Sequence, residues 1–186
     1  FPTDALPILK ATSCINIKKN LVIGDTFDMA GITWKILDID ERGYACLADN
    51  KLDETKKFDD DYNHWLSSDL RYYLNTTIYE AIADVIGEDN IVEFERDLIS
   101  LDGQTEYGTC LDKVSLISID EYRKYRKLIP NTNNYWWWTL TPDSTTCNGN
   151  SRFVRAISLS GYTVINCCNS NCGVRPFCIL KSDIFV

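Results

Sequence analysis

The sequence is poor in residues on which catalytic and metal sites often depend. His64 is the only histidine, which excludes metal motifs built on two histidines and most zinc sites. It leaves one base for a serine or cysteine nucleophile, but its place between Asn63 and Trp65, just before a predicted helix, favours a structural or surface role. Neither a glycine-rich phosphate loop nor a Gly-x-Ser-x-Gly motif occurs. We therefore expect that the protein is not an enzyme.

Positive charge and long apolar runs are also scarce. Lysine and arginine number 19 against 27 aspartates and glutamates, which gives a net charge of −8. A nucleic-acid-binding surface needs a basic patch, and the basic cluster at 123–127 fits a solvated helix face. No apolar run approaches the roughly 18 residues of a membrane span. We expect neither a nucleic-acid partner nor a membrane span.

Cysteine is plentiful, and its distribution is uneven. Five of the eight cysteines fall in the last quarter of the chain. Eight cysteines permit about 105 full pairings, so a secreted disulfide-bonded protein and a protein with free thiols both remain open. A soft metal on Cys167, Cys168 and Cys172 is a further alternative. Acidic runs such as 59–61 match no calcium loop, so we expect no cofactor, with calcium as the ion left open.

The remaining pattern predicts one α+β domain over 20–186, preceded by an extended lead-in at 1–19. Residues 20–28 are turn-rich at both ends, and 103–109 is typical of a loop. Ser118 and Glu121 fit a capping box at the start of a helix. The periodicity predicts strands at 32–39, 44–48, 91–99, 114–117 and 177–180, and helices near 68–75, 77–86 and 118–127.

The stretch from Tyr135 to Leu180 combines apolar strands with segments that have no core-forming character. Three tryptophans, 136–138, are followed by a hairpin pattern with Ser160-Gly161 at its turn. A polar tract, 166–172, then leads into Gly-Val-Arg-Pro at 173–176. Strand geometry sends Trp136 and Trp138 to one face and Trp137 to the other, so we expect most of this block in the core. The arrangement is typical of a binding surface on a rigid scaffold.

Five segments together resemble a domain of unknown function that is common in gut bacteria and their phages. They are Gly31–Leu37, Trp65–Asn75, Val114–Tyr122, Trp137–Pro142 and Gly173–Pro176. That family is similar to the variable proteins of diversity-generating retroelements, which have a C-type-lectin fold of the formylglycine-generating-enzyme type. In those proteins adenine-specific mutagenesis rewrites a C-terminal segment, and the altered side chains form the ligand-binding face.

The resemblance implies a variable segment at about 144–172. Mutating the adenines of an AAC or AAT codon cannot give Trp, Lys, Glu, Gln or Met, and none of these five occurs between Ser144 and Cys172. Fixed strand positions would be Val154, Ile157, Leu159 and Val164. The expected variable positions are Cys147, Asn148, Asn150, Tyr162, Asn166, Cys167, Cys168, Asn169, Ser170, Asn171 and Cys172. Tyr135, Trp136 and Trp138 are the expected supporting aromatic residues.

The resemblance thus predicts a ligand-binding module that recognises a protein or cell-surface ligand at the cell surface, outside the cell or on a virion. The chain starts with Phe1-Pro2 and not with methionine, so we expect a trimmed or processed chain in which any signal peptide is out of view. Alternatives are an undiversified carbohydrate- or protein-binding domain, with an exposed tryptophan as sugar platform, and an enzyme that uses a reactive cysteine. Formylglycine-generating enzymes use a cysteine pair, but no surrounding motif of that enzyme is present.

Overall fold

The computed structural model describes residues 20–131 and 134–185, so the expected lead-in at 1–19 lies outside the described residues. The described part is α+β, as the sequence predicts. Its helices are α1 (Asp69–Tyr73), α2 (Tyr79–Ile86) and α3 (Ile119–Tyr125). Its strands are β1 (Thr26–Met29), β2 (Ile32–Asp40), β3 (Gly43–Ala48), β4 (Ile91–Val92), β5 (Phe94–Asp97), β6 (Thr109–Asp112), β7 (Val114–Ser115), β8 (Trp137–Pro142), β9 (Phe153–Ile157), β10 (Thr163–Cys167) and β11 (Phe177–Leu180).

Six strands form the main sheet, in the order β1-β2-β3-β11-β4, with β7 also paired to β11. All of these pairs are antiparallel. The last strand in the chain, β11, lies inside the sheet between β3 and β4. The C-terminal quarter is therefore joined to the N-terminal strands by main-chain hydrogen bonds, which anchors the segment that precedes β11.

Different helices cover the two faces of the main sheet. Trp34 belongs to a first core cluster, to which α1 and α2 contribute Leu70 and Ile82. Leu47 belongs to a second cluster, to which α3 contributes Tyr122. Apolar side chains that alternate along a strand reach opposite faces, so one sheet supports both clusters.

The helix starts follow from their capping residues. The Arg71 N–H donates to Ser68 Oγ at 3.1 Å and begins α1, and a π-helical turn over Leu74–Ile78 joins α1 to α2. The predicted capping box at α3 is confirmed: Glu121 N–H donates to Ser118 Oγ at 3.1 Å, and Ser118 N–H donates to Glu121 Oε2 at 2.7 Å.

The predicted hairpin is confirmed as β9 and β10, which form a second sheet in the order β10-β9-β8. Gly161 lies in its turn at φ +81°, a conformation that favours glycine. Its carbonyl oxygen accepts a hydrogen bond from Tyr122 Oη at 2.8 Å. A Cβ there would lie 2.2 Å from Arg126 Nη2. Close contact with α3 therefore fixes where the hairpin turn lies.

Three expectations about strands need correction. The strand expected at 91–99 is two strands, β4 and β5, and β5 pairs with β6 rather than with the main sheet. The loop expected at 103–109 gives way to β6 at Thr109, where Asp112 is buried because Trp65 Nε1 donates to its carboxylate at 2.7 Å. β1 forms within the segment expected to be turn-rich, because it pairs with β2.

Candidate functional site

The second sheet has one buried face and one partly open face. Val154 of β9 is fully buried in the first core cluster, together with Trp138. Phe153 of β9 points the other way and is 40% exposed, and Ile165 of β10 is 45% exposed. Large apolar side chains at the surface of an ordered sheet are features of interaction sites when they cluster. This half of the hairpin therefore combines a fixed inner face with an apolar outer face.

Most of the tryptophan block lies in the core, as expected. Trp137 and Trp138 are both buried, because one packs in the second core cluster and the other in the first. Trp138 also donates from Nε1 to the Lys56 carbonyl oxygen at 2.8 Å. Trp138 therefore cannot be an exposed platform, which corrects that part of the prediction. Trp136 is 40% exposed and Tyr135 is 53% exposed.

β10 is one of the two edge strands of its sheet. The Ser158 N–H donates to the Tyr162 carbonyl oxygen at 2.8 Å, so even-numbered residues of the strand bond to β9. The main-chain groups of Thr163 and Ile165 consequently point away from β9. The strand also has no charged residue and no proline, which are common devices against edge pairing. An extended chain can therefore add to this edge.

A buried asparagine holds the loop between β8 and β9. Asn63 is fully buried, and its Nδ2 donates to the carbonyl oxygens of Ser144 at 2.9 Å and Phe153 at 2.8 Å. Its Oδ1 accepts from Tyr107 Oη at 2.8 Å. The two ends of the loop are thus fixed to one side chain. Sequence reasoning missed this role, because an asparagine beside His64 carries no mark of a partner some eighty residues away.

Two carboxylates of the 101–108 loop also bind the loop between β8 and β9. Asp102 accepts from Ser144 Oγ at 2.6 Å and from Asn148 Nδ2 at 2.9 Å. Glu106 accepts from Thr146 Oγ1 at 2.6 Å and from the Cys147 N–H at 2.9 Å. These hydrogen bonds lower the pKa of both carboxyl groups to about 2, with those from Ser100 to Asp102 and from Thr146 to Glu106 contributing most. The sequence analysis places Glu106 in the expected loop at 103–109, but it identifies neither the role of Asp102 nor the partners of the two carboxylates.

In the polar tract, 166–172, exposed residues lie between two buried cysteines. Cys172 pairs with Lys56 through two main-chain hydrogen bonds of 2.9 and 3.1 Å, and Phe58 N–H donates to the Cys168 carbonyl oxygen at 2.9 Å. Both cysteine side chains lie in the first core cluster. Asn169 and Asn171, by contrast, are exposed. The tract therefore presents asparagines from a backbone that is pinned at two points.

Nine of the eleven expected variable positions reach solvent, and Cys168 and Cys172 do not, at 0% and 1% exposure. Of the expected fixed positions, Val154 and Ile157 are buried and Val164 is partly buried, but Leu159 is 42% exposed in the turn. The nine that reach solvent, called the surface positions below, are Cys147, Asn148, Asn150, Tyr162, Asn166, Cys167, Asn169, Ser170 and Asn171.

The Gly-Val-Arg-Pro motif explains how the tract is joined to β11. Arg175 is fully buried. Its guanidinium donates to the carbonyl oxygens of Ala48 at 2.9 Å and Asp49 at 2.7 Å and lies 4.8 Å from the Trp137 ring centroid. Burial lowers its pKa to about 10. The motif is a structural anchor between the two sheets.

His64 has surroundings that suit a structural role. Its ring stacks on Tyr107 with centroids 4.3 Å apart, and burial lowers its pKa. Among residues 20–131 and 134–185, no group of three or more histidine, cysteine, aspartate or glutamate side chains could hold a metal ion. Within the same described residues no helix is long and apolar enough to cross a membrane.

Comparison with known proteins identifies one family. The model of DUF6273, a domain of unknown function, matches residues 42–182. No curated protein and no solved structure matches the chain. Since the match covers most of the chain, the chain belongs to the DUF6273 family.

Proposed function

We propose that this member of the DUF6273 family is a ligand-binding module with a C-type-lectin-like fold of the formylglycine-generating-enzyme type. We further propose that its surface at 144–172 is diversified by a diversity-generating retroelement. The observation that carries the proposal is the division of this segment: nine expected variable positions reach solvent, while Val154 and Ile157 between them are buried. Exposed side chains can change without altering the core.

The loop between β8 and β9 supports the same division. Its main chain is held from outside the segment, because Asn63 Nδ2 donates to the Ser144 carbonyl oxygen and the Cys147 N–H donates to the Glu106 carboxylate. A loop whose main chain is held by partners outside the variable segment keeps its backbone position when its own side chains differ. Such pre-organisation lowers the entropy that is lost on binding.

The surface favours a protein ligand. Tyr162 is 73% exposed, and Ser160, Gly161 and Thr163 flank it in sequence. A rigid aromatic among small polar side chains is the composition of antibody-like binding sites. The open edge of β10 adds main-chain donors and acceptors that a polypeptide can pair with. We propose that the ligand lies on a cell or virion surface, and we expect no cofactor, with calcium as the ion left open.

A glycan is the second candidate ligand, and the exposure of Trp136 favours it. An indole face is apolar and flat, so it can stack on a sugar ring. Tyr135 lies beside it in the chain, with the Lys51 ammonium 5.2 Å from its ring centroid. A glycan array distinguishes the two ligands. Binding that is lost on Trp136→Ala but kept on Tyr72→Ala, a tyrosine of α1 with 73% exposure, would favour the glycan.

The DNA next to the gene tests diversification. We expect a reverse transcriptase gene and a near-copy of the region that encodes Ser144 to Cys172. The near-copy should differ from the gene only where the copy has adenines. Flanking DNA that lacks such a copy would contradict diversification and leave an undiversified binding domain, whose ligand class the array and protein-binding assays would then decide.

A further inference from the structure

His64 lies next to two of the side chains that hold the loop between β8 and β9. Its ring stacks on Tyr107, with an angle of 26° between the ring planes. Tyr107 Oη donates to Oδ1 of Asn63, the residue before His64, whose amide holds both ends of the loop. Glu106, the residue before Tyr107, accepts from the Cys147 N–H. A change at this imidazole can therefore reach both anchors through one contact or one peptide unit.

One nitrogen of the His64 ring has no hydrogen-bond partner within the described part of the chain. This nitrogen, Nε2, is buried. In a neutral imidazole it can be a bare acceptor, whereas an imidazolium carries a proton on both nitrogens. Protonation would therefore leave a charged N–H buried without an acceptor. Such a group is unfavourable until it reaches water.

The groups around His64 keep their protonation states while the imidazole titrates. Hydrogen bonds hold the pKa values of Glu106 and Asp102 at about 2. Burial raises the pKa of the Tyr107 hydroxyl, and the bond to Glu106 raises the pKa of the Cys147 thiol. Among these described groups, His64 is consequently the one whose charge changes between about pH 5 and 7.

We propose that protonation of His64 promotes opening of the loop between β8 and β9. In the held form the neutral imidazole stacks on Tyr107, and Asn63 bonds to Ser144 and Phe153. In the open form the charged ring leaves the tyrosine face and reaches water, which removes a packing partner from the Tyr107–Asn63 contact. The proposed binding loop is thus held most firmly at neutral pH and opens more often in acid. This regulation is separate from the identity of any ligand.

Proton linkage gives the direction and the size of the effect. Burial lowers the pKa of His64 below its ordinary 6.5, and it outweighs a hydrogen bond to the Tyr107 main chain and the charge of Glu106. The held form is therefore fully favoured above about pH 6.5, and this advantage is lost as the pH falls to the lower pKa of the held form. The opening constant rises about tenfold for each unit by which the two pKa values differ. Because Glu106 and Asp102 stay ionised, the open form remains a minor population.

An experiment on the full chain without any ligand tests this proposal, so its result does not depend on the proposed function. The single histidine gives one imidazole signal, whose NMR titration should have a midpoint below 6.5. Amide hydrogen exchange, divided by the intrinsic rate at each pH, reports loop opening. We expect the protection of the Cys147 amide to fall several-fold between pH 7 and 5. Slower exchange at Ile179, in β11 of the main sheet, would show that this opening is local.

Two variants that carry no charge at position 64 are the matched controls. His64→Phe keeps an aromatic ring against Tyr107, so protection of Cys147 should be the same at pH 7 and 5. His64→Gln gives the same comparison with a polar side chain if the phenylalanine variant does not fold. An imidazole midpoint at or above 6.5, or the same fall in protection in wild type and variant, would overturn the proposal. Equal protection at Cys147 and Ile179 would overturn it as well, because the loop would then open only when the domain unfolds.

Discussion

Asn63 Nδ2 donates to the Ser144 carbonyl oxygen at 2.9 Å, although the two residues are 81 positions apart in the chain. This bond joins the segment before α1 to the start of the proposed variable surface. The same side chain reaches Phe153, where that surface continues into β9. One buried amide therefore sets the spacing between both ends of the proposed binding loop.

Replacing this amide should destabilise the whole domain. Asn63→Ala leaves the buried carbonyl oxygens of Ser144 and Phe153 and the Tyr107 hydroxyl without this partner, so we expect a loss of about 3 kcal/mol in the free energy of unfolding. Urea unfolding measures it. The exposed Asn171→Ala is the control and should change stability by less than about 0.5 kcal/mol. Similar losses in the free energy of unfolding for the two variants would contradict the role of Asn63 in holding the loop.

The contact between Glu106 and the Cys147 amide should survive to low pH. Hydrogen bonds from Thr146 and neighbouring groups lower the pKa of Glu106 from its ordinary 4.5 to about 2. The stabilisation is therefore complete above 4.5 and is lost as the pH falls through about 2. In an NMR titration the Cys147 amide should shift with a midpoint near pH 2. A midpoint near 4.5 would show that the Glu106 carboxylate does not accept these hydrogen bonds. As the control, Glu106→Gln should abolish the transition.

Substitutions at neighbouring positions of the hairpin should differ sharply in their effect on the free energy of unfolding. Ile165→Ser removes a side chain that is 45% exposed, so it should change the free energy of unfolding by less than about 0.5 kcal/mol. Val154→Ala opens a cavity at a fully buried position and should cost about 2 kcal/mol. Cys168→Ser buries a hydroxyl and should cost about 1 to 3 kcal/mol. Denaturant midpoints compare the three, and equal effects would contradict the separation of surface from core.

The buried guanidinium of Arg175 should not be replaceable by lysine. Arg175→Lys keeps the charge but loses the fork that bonds to Ala48 and Asp49, so we expect a loss of about 3 kcal/mol. Arg123→Lys is the matched control, because Arg123 is exposed and pairs with exposed Asp120 at 3.1 Å. Its effect should stay below about 0.5 kcal/mol. Thermal unfolding of both variants measures the difference.

The sequence predicts the elements whose signals are local. The capping box at Ser118 and the hairpin around Ser160-Gly161 depend on residues within a few positions of each other, and both form. β6 was missed because its buried residue is charged: Asp112 is held by Trp65 and Arg71, some forty positions away. A charged residue is typical of an exposed position until its distant partners are known.

The same difference between local signals and distant partners applies to the candidate surface. Exposure of Tyr162 and the asparagines follows from polar composition near a turn. Burial of Cys168 and Cys172 follows from pairing with 56–59, a charged segment that the sequence does not connect to the tract. Trp138 was expected on the same side as Trp136, but the second sheet is covered on both faces where the tryptophans lie. Long-range partners decide each of these cases.

Sequencing the gene from independent isolates tests the central claim most directly. If the surface at 144–172 is diversified for binding, amino-acid differences should concentrate at the nine surface positions and use only residues reachable from AAC or AAT codons. Val154, Cys168, Cys172 and Arg175 should stay constant, because their side chains are buried. Differences spread evenly over buried and exposed positions, or identical residues at all nine surface positions, would contradict the claim.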